Sequence, residues 1–191
     1  MVQSCGVRKR SDAERNDRAV LEAVIELHAE STSGAPVSAD SIAARAGVGK
    51  GTVFRAFGDK AGLLRAAMSA CAEPVMAQLD QQIDDDPVAQ LVTTVDALLD
   101  LKVRHRRLAL ALEEQGAGSP FDATHYEWWF DLIRTHLIAA GAESVDFTAH
   151  LILGSVRSDL VEHLLGTRGW TPEQLRDAVR RTTKQLLLDP T

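Results

Sequence analysis

The chain of 191 residues is 45% hydrophobic and 25% charged, which excludes a disordered or low-complexity protein, and at roughly 150 residues per domain its length allows one domain with a small module attached. With 21 Lys and Arg against 27 Asp and Glu the net charge is −6, which argues against a uniformly basic nucleic-acid coat. Residues 1–70 nevertheless hold ten basic and eight acidic side chains, a net of +2, whereas residues 71–191 hold eleven and nineteen, a net of −8, so the two ends suit different tasks.

Helical periodicity runs from end to end. The first residues are polar (Ser4, Arg8, Lys9, Arg10, Ser11) and lack the apolar core of a signal peptide, and no run of about 18 apolar residues offers a membrane span, so a cytoplasmic protein is expected. The Arg8-Lys9-Arg10 run reads either as a minor-groove or phosphate-seeking arm or as a solvated tail. Cys5 and Cys71 are the only cysteines, too few for a disulfide scaffold, and read as thiols in a reducing compartment. Ser11 with Glu14 has the spacing of a capping box, opening a helix with Val20, Leu21, Val24, Ile25 and His28 on one face and ending before Ser31-Thr32-Ser33-Gly34. Ser38 caps a short helix through Ala46, with Ile42 and Ala46 inward, and Gly47 ends it. A second short helix is expected from about Gly49 to Phe57, stopping at Gly58. Asp59 caps the next, carrying Leu63, Leu64, Ala67 and Met68, and Pro74 is expected to kink or break it. Asp84-Asp85-Asp86 reads as a loop with Asp86 as cap and Pro87 in the first helical position. Leu91, Val95, Leu98 and Leu99 stripe a long helix, followed by a segment from about His105 to Gln115 and a break at Gly116 to Pro120. Helices follow at about 121–140 and 145–166, and Thr171, Pro172 and Gln174 open the last one as cap, helical Pro and capping-box partner. The expectation is an all-α chain of about nine helices, with no strand pair and no internal repeat.

Residues Ser38 to Phe57 form two helices too short to survive alone, joined by the tight turn Ala46-Gly47-Val48, which is the helix-turn-helix pattern. In such a unit the second helix lies in the major groove and the first crosses the backbone. The run Ile42-Ala43-Ala44-Arg45-Ala46-Gly47-Val48-Gly49-Lys50-Gly51-Thr52-Val53-Phe54-Arg55-Ala56-Phe57, with Lys60 and Leu63-Leu64, resembles the N-terminal domain of TetR-type transcriptional regulators over about residues 18 to 64. The resemblance implies DNA contact from Ser38, Gly49, Lys50, Gly51, Thr52, Phe54, Arg55 and Lys60. Each has a chemical reason. Lys50 offers a cation to phosphate or guanine, Thr52 a hydroxyl or methyl to a base edge, and Arg55 a phosphate or base contact. Ser38 and Lys60 stand at helix starts, where N–H groups favour phosphate. Val48, Val53 and Phe57 read as the small core. The chain departs from the family where Phe54 replaces the usual Tyr, losing a phosphate donor, and where Gly49 replaces Ser or Thr, losing a side-chain cap. Gly51 costs about 1 kcal/mol of helix propensity relative to Ala, for which close backbone approach to DNA would compensate.

The acidic half concentrates five aromatics within ten residues: Phe121, Tyr126, Trp128, Trp129 and Phe130. Phe121, His125, Trp128, Trp129, Leu132 and His136 fall along one broad helical face, which suits either a core or an apolar ligand pocket. Adjacent Trp128 and Trp129 are about 100° apart and do not both face one pocket squarely. The resemblance implies an effector pocket here, with Arg104, His105, Leu108 and Leu112 as further lining. His125 and His136 lack zinc-helix spacing, and neither a metal nor a cofactor is expected. Apolar residues wrap the last two helices on more than one face, which asks for a partner. The resemblance implies a homodimeric four-helix bundle through Leu151, Gly154, Ser155, Val161, Leu165, Leu175, Val179 and Leu186.

The reading is a DNA-binding domain over residues 1–62 with a basic arm, and an effector-binding and dimerisation domain over 63–191. The function is expected to be that of a homodimeric repressor, released from a pseudo-palindromic double-stranded operator by a small hydrophobic effector. The alternative is an all-α ligand carrier or enzyme keeping the helix-turn-helix as scaffold. Against an enzyme stands the lack of a Gly-rich phosphate loop, Gly-x-Ser-x-Gly, His-Glu-x-x-His or Cys pair. An architectural DNA binder without a switch is disfavoured by the acidic half.

Overall fold

The computed structural model describes residues 4–31, 36–82, 85–115 and 125–188, the side chains of 4–11 and 188 excepted. Among these residues all regular structure is helical. The chain divides into two compact units, Met1–Ala70 and Cys71–Thr191, at the position where its charge changes sign.

The N-terminal unit holds α1 (Ser4–Glu30), α2 (Ala39–Ala46), α3 (Lys50–Val53) and the first turns of α4 (Lys60–Gln81). Its core is Val20, Ala23 and Val24 of α1 against Ile42, Ala43, Val53, Leu63 and Leu64, and each fully buried Val or Leu stabilises by about 1.5–3 kcal/mol. Helix α1 starts at Ser4, so Ser11 lies inside it rather than capping it. The residues before Ser11 include good helix formers and no helix stop, so the helix propagates through them. The Arg8–Arg10 run thereby belongs to α1, with side chains outside the described residues. Pro74 does not end α4, which continues to Gln81. Proline removes one backbone bond, the one Ala70 would accept, and the turns on either side carry the helix past it.

The C-terminal unit contains the rest of α4 and α5 (Pro87–Arg104), α6 (Arg106–Glu114), α7 (Tyr126–Ala139), α8 (Val145–Ser155), α9 (Ser158–Glu162), a π-helical turn (His163–Thr167) and α10 (Pro172–Leu188). The caps form where the sequence puts them. Asp86 Oδ1 accepts the Val88 N–H at 2.9 Å ahead of Pro87. Thr171 and Gln174 exchange reciprocal bonds of 2.9 and 3.2 Å. Helix α5 packs against α7 and α10, and Leu91, Leu99, Leu108, Ile133, Leu137, Ile152, Val161 and Leu175 form the core. The charged residues of α10 also face α5, where Arg176 pairs with Asp100 and Arg180 Nη2 lies 2.6 Å from Asp96 Oδ2.

The single helix expected over 145–166 is interrupted at Val156-Arg157. A carboxylate from α6 caps the helix that restarts there. Glu113 accepts the backbone N–H of Ser158 at 3.2 Å and that of Asp159 at 3.3 Å. Lys102 Nζ bridges Glu113 Oε1 at 3.4 Å and Ser158 Oγ at 3.0 Å. These bonds satisfy the free donors of a new N-terminus, which a continuous helix would have used internally.

Candidate nucleic-acid interface

The turn between α2 and α3 is built by capping at both ends of α2. Ser38 Oγ accepts the Ser41 N–H at 3.1 Å, and Ser41 Oγ accepts the Ser38 N–H at 3.2 Å. At the other end Gly47 adopts φ 65°. Its N–H donates to Ala44 O at 3.4 Å and that of Val48 to Ala43 O at 3.0 Å, the paired closure that a left-handed glycine permits. Arg45 then ties α2 to α1, reaching Glu26 at 3.0 Å and Glu30 at 2.7 Å, and these carboxylates raise the guanidinium's already high pKa. His28 supplies the floor. It is 6% exposed, its Nδ1–H donates to Val24 O at 2.7 Å, and burial, with Lys60 adding charge repulsion, lowers its pKa.

Helix α3 is shorter than expected, a single turn over Lys50–Val53, with Phe54 to Phe57 continuing as turns. Gly49 gives it no side-chain cap, Gly51 weakens its helix propensity, and the Gly58 N–H closes the segment on Phe54 O at 2.7 Å. Val53 is fully buried, while Val48 and Phe57 are half-buried. Around this anchor Ser38, Gly49, Lys50, Gly51, Arg55 and Lys60 are exposed, and Thr52 and Phe54 are half-exposed. Arg55 and Lys60 have no ion-pair partner among the described residues, whereas Lys50 Nζ sits 2.8 Å from Asp40 Oδ1 and 2.9 Å from Oδ2.

Three contributors escape the sequence pattern. Asp40 and Arg45 are paired only once α2 is placed against its neighbours. Gly62 lies in the first turn of α4, where its N–H donates to the Asp59 cap at 2.7 Å. A Cβ there would meet Phe57 O at 2.1 Å, so the close approach requires glycine.

In the C-terminal unit Arg104 is exposed at the end of α5, and His105 joins α5 to α6 with its Nδ1 3.7 Å from Cys71 Sγ. Burial lowers the His105 pKa and raises that of the thiol. Leu108 is buried and Leu112 half-buried. Trp129 is buried and Trp128 half-buried, their rings meeting edge to face at 4.9 Å and 90°, so the two diverge as their angular separation requires. Leu132 is half-buried, and His125 precedes α7 in a left-handed conformation with φ 68°. Phe121 and the break at 116–120 lie outside the described residues. The aromatic face of α7 reaches α8 instead, where Tyr126 Oη and His150 Nδ1 share a 2.7 Å hydrogen bond and Phe130 stacks on His150 at 4.7 Å.

The expected dimer stripe separates into two sets. Leu151 is 43% exposed on α8, with Phe147 one turn earlier at 66%, and Gly154 and Ser155 are half-buried at the helix end. Val161, Leu175 and Val179 are instead buried within their own unit, where α9 packs on α6 and α10 on α5 and α8. Leu165 and Leu186 are half-buried.

Residues 31–67 match the model of bacterial regulatory proteins of the tetR family. No curated protein matches the chain in sequence. Among solved structures, a transcriptional regulator from Rhodococcus sp. Rha1 is 26% identical, with a TM-score of 0.66 over 92% of this chain and 96% of that one. A TetR transcriptional regulator from Rhodococcus sp. RHA1 is 21% identical, with a TM-score of 0.62 over 94% of this chain and 100% of that one. The regulator FadR from Bacillus subtilis, solved in complex with stearoyl-CoA, is 16% identical, with a TM-score of 0.58 over 89% of this chain and 96% of that one. Residues 31–67 are thus similar to the tetR family of bacterial regulatory proteins, and the all-α fold is that of the solved TetR regulators.

Proposed function

We propose that the protein is a homodimeric transcriptional repressor, released from a pseudo-palindromic operator by a small hydrophobic effector. The observation that carries this reading is the helix-turn-helix of the N-terminal unit, closed by the Gly47 turn and presenting Lys50, Gly51, Arg55 and Lys60 to solvent. A short, well-anchored second helix with exposed cations at its start is what the major groove and its flanking phosphates accept. Residues 1–62 read DNA and 63–191 bind effector and dimerise, with α4 continuous across that limit. Dimerisation runs through the outer face of α8, where Phe147, Leu151 and Gly154 recur at helical spacing, and sets the two reading helices one or more DNA turns apart. The effector is bound by the α5–α6 junction and α7. That a structural neighbour was solved with stearoyl-CoA supports a ligand within this fold. The effector releases DNA by binding better to a state whose reading helices are wrongly spaced.

Selection of bound duplexes from genomic DNA, followed by gel shifts at graded salt, tests the reading. A specific site is expected, with Lys60→Ala weakening binding and flattening the salt slope by about 0.9 for the lost phosphate contact. Failure of the wild-type protein to select any duplex would remove the repressor assignment.

A further inference from the structure

We infer that Asp40 is an internal stand-in for a DNA phosphate, engaging Lys50 in the free protein and thereby holding down the sequence-independent affinity of the N-terminal unit. The inference rests on the DNA-binding reading and adds to it a residue that tunes specificity. The ammonium of Lys50 sits across both carboxylate oxygens, at 2.8 and 2.9 Å. Asp40 is in the first turn of α2, two residues beyond the Ser38 cap, where the helix end favours an anion. An arriving phosphate would seek both that helix end and that lysine.

The pair is built to be exchanged rather than to hold the fold. The Lys50 side chain is 64% exposed and that of Asp40 70%, so water screens their attraction and a phosphate competes on favourable terms. Arg45 makes the contrast: it is held by two carboxylates of α1 and serves packing. Arg55 and Lys60, without ion-pair partners among the described residues, give up nothing on meeting DNA. Lys50 trades one anion for another, and the Asp40 carboxylate, released beside the duplex, gathers a cation. The exchange therefore yields almost none of the counterion release that normally drives phosphate contacts. Random-sequence DNA feels that deficit in full. An operator that engages Lys50 with a base edge recovers it through contacts that random DNA cannot supply.

The test is fluorescence anisotropy with a 30-base-pair random-sequence duplex across a KCl series. Asp40→Asn, nearly isosteric, is expected to bind about five- to tenfold more tightly at low salt, with a salt slope steeper by about 0.9. Asp40→Ala is expected to behave in the same way. Glu22→Gln, an equal change of charge at an exposed position of α1, is expected to gain less than about twofold. In a Lys50→Ala background the Asp40→Asn gain is expected to vanish, since nothing remains to be released. A gain that survives Lys50→Ala, or that Glu22→Gln reproduces, overturns the inference, as does an unchanged affinity of both Asp40 variants. If the wild-type protein binds no duplex at any salt, the DNA-binding reading fails and the inference with it.

Discussion

The carboxylate of Glu113 and the backbone N–H of Ser158, 45 residues apart in sequence, meet at 3.2 Å, and that bond starts a helix where periodicity alone continues one. Glu113→Ala strips the cap and leaves the buried Ser158 N–H and the Lys102 ammonium short of an acceptor. The expected cost is about 1–3 kcal/mol, read as a lower urea midpoint, together with faster amide exchange at Leu160 to Glu162. An unchanged midpoint would mean that something other than Glu113 divides α8 from α9.

The division of the apolar stripe can be tested by charge. Phe147→Glu and Leu151→Glu stand on an exposed face and are expected to give folded monomers by sedimentation, with melting temperatures within a few degrees of wild type. Val179→Glu places an unpaired carboxylate in the core and is expected to cost several kcal/mol and the cooperative melt. A folded Phe147→Glu, Leu151→Glu double variant that remains dimeric would move the interface off α8.

Gly51 offers a test of backbone approach. A Cβ added there meets nothing within 4 Å, so Gly51→Ala carries no steric penalty in the free protein. It is expected to stabilise the N-terminal unit by about 1 kcal/mol through helix propensity, while weakening operator binding at least tenfold. Unweakened binding in gel shifts would show that the duplex leaves room at this position.

The buried histidines give a pH dependence of definite sign. Burial lowers the pKa of both His28 and His136, whereas the unfolded chain titrates near about 6.5. Between the two values the unfolded state binds more protons, so stability rises with pH. The contribution is fully present above the unfolded pKa and is lost as pH falls from about 6.5 toward the folded values. Thermal melts are expected to shift down between pH 7.5 and 5.5. His28→Leu loses the bond to Val24 but should flatten that slope, and a slope as steep as wild type would exclude His28 as a contributor.

The features legible in the sequence are those whose cause is local. Ser38, Gly47, Asp59, Asp86 and the Thr171–Gln174 pair act within a few residues of the backbone groups they satisfy, and the structure forms each of them. The failures have distant or competing causes. Ser11 and Glu14 have capping spacing, but the residues before them propagate the helix. The carboxylate that caps the helix after the break comes from α6, and residues 145–166 do not contain it. Leu175 and Val179 lie on an apolar stripe whether it meets a partner subunit or α5, and only packing decides between those. In the candidate interface, residue types pointed to the exposed Lys50, Arg55 and Lys60. The role of Asp40 stayed hidden because a carboxylate ten residues from a lysine has no local signature.

The two ion pairs between α10 and α5 run in opposite sequence directions, Arg176 with Asp100 and Arg180 with Asp96, so the helices are antiparallel and the rungs repeat every turn. The buried side chains of α10, apolar Leu175 and Val179 and polar Thr183, repeat with that same step. A ladder with equal rungs resists sliding poorly, since displacement by one turn still leaves one arginine opposite one aspartate. Within that buried row one member differs in kind. Thr183, 1% exposed, brings a hydroxyl where the other two bring hydrocarbon. A one-turn slip would move that hydroxyl into a place shaped for valine. Replacement of Thr183 by Val would therefore leave burial nearly intact while making the buried row of α10 uniformly apolar.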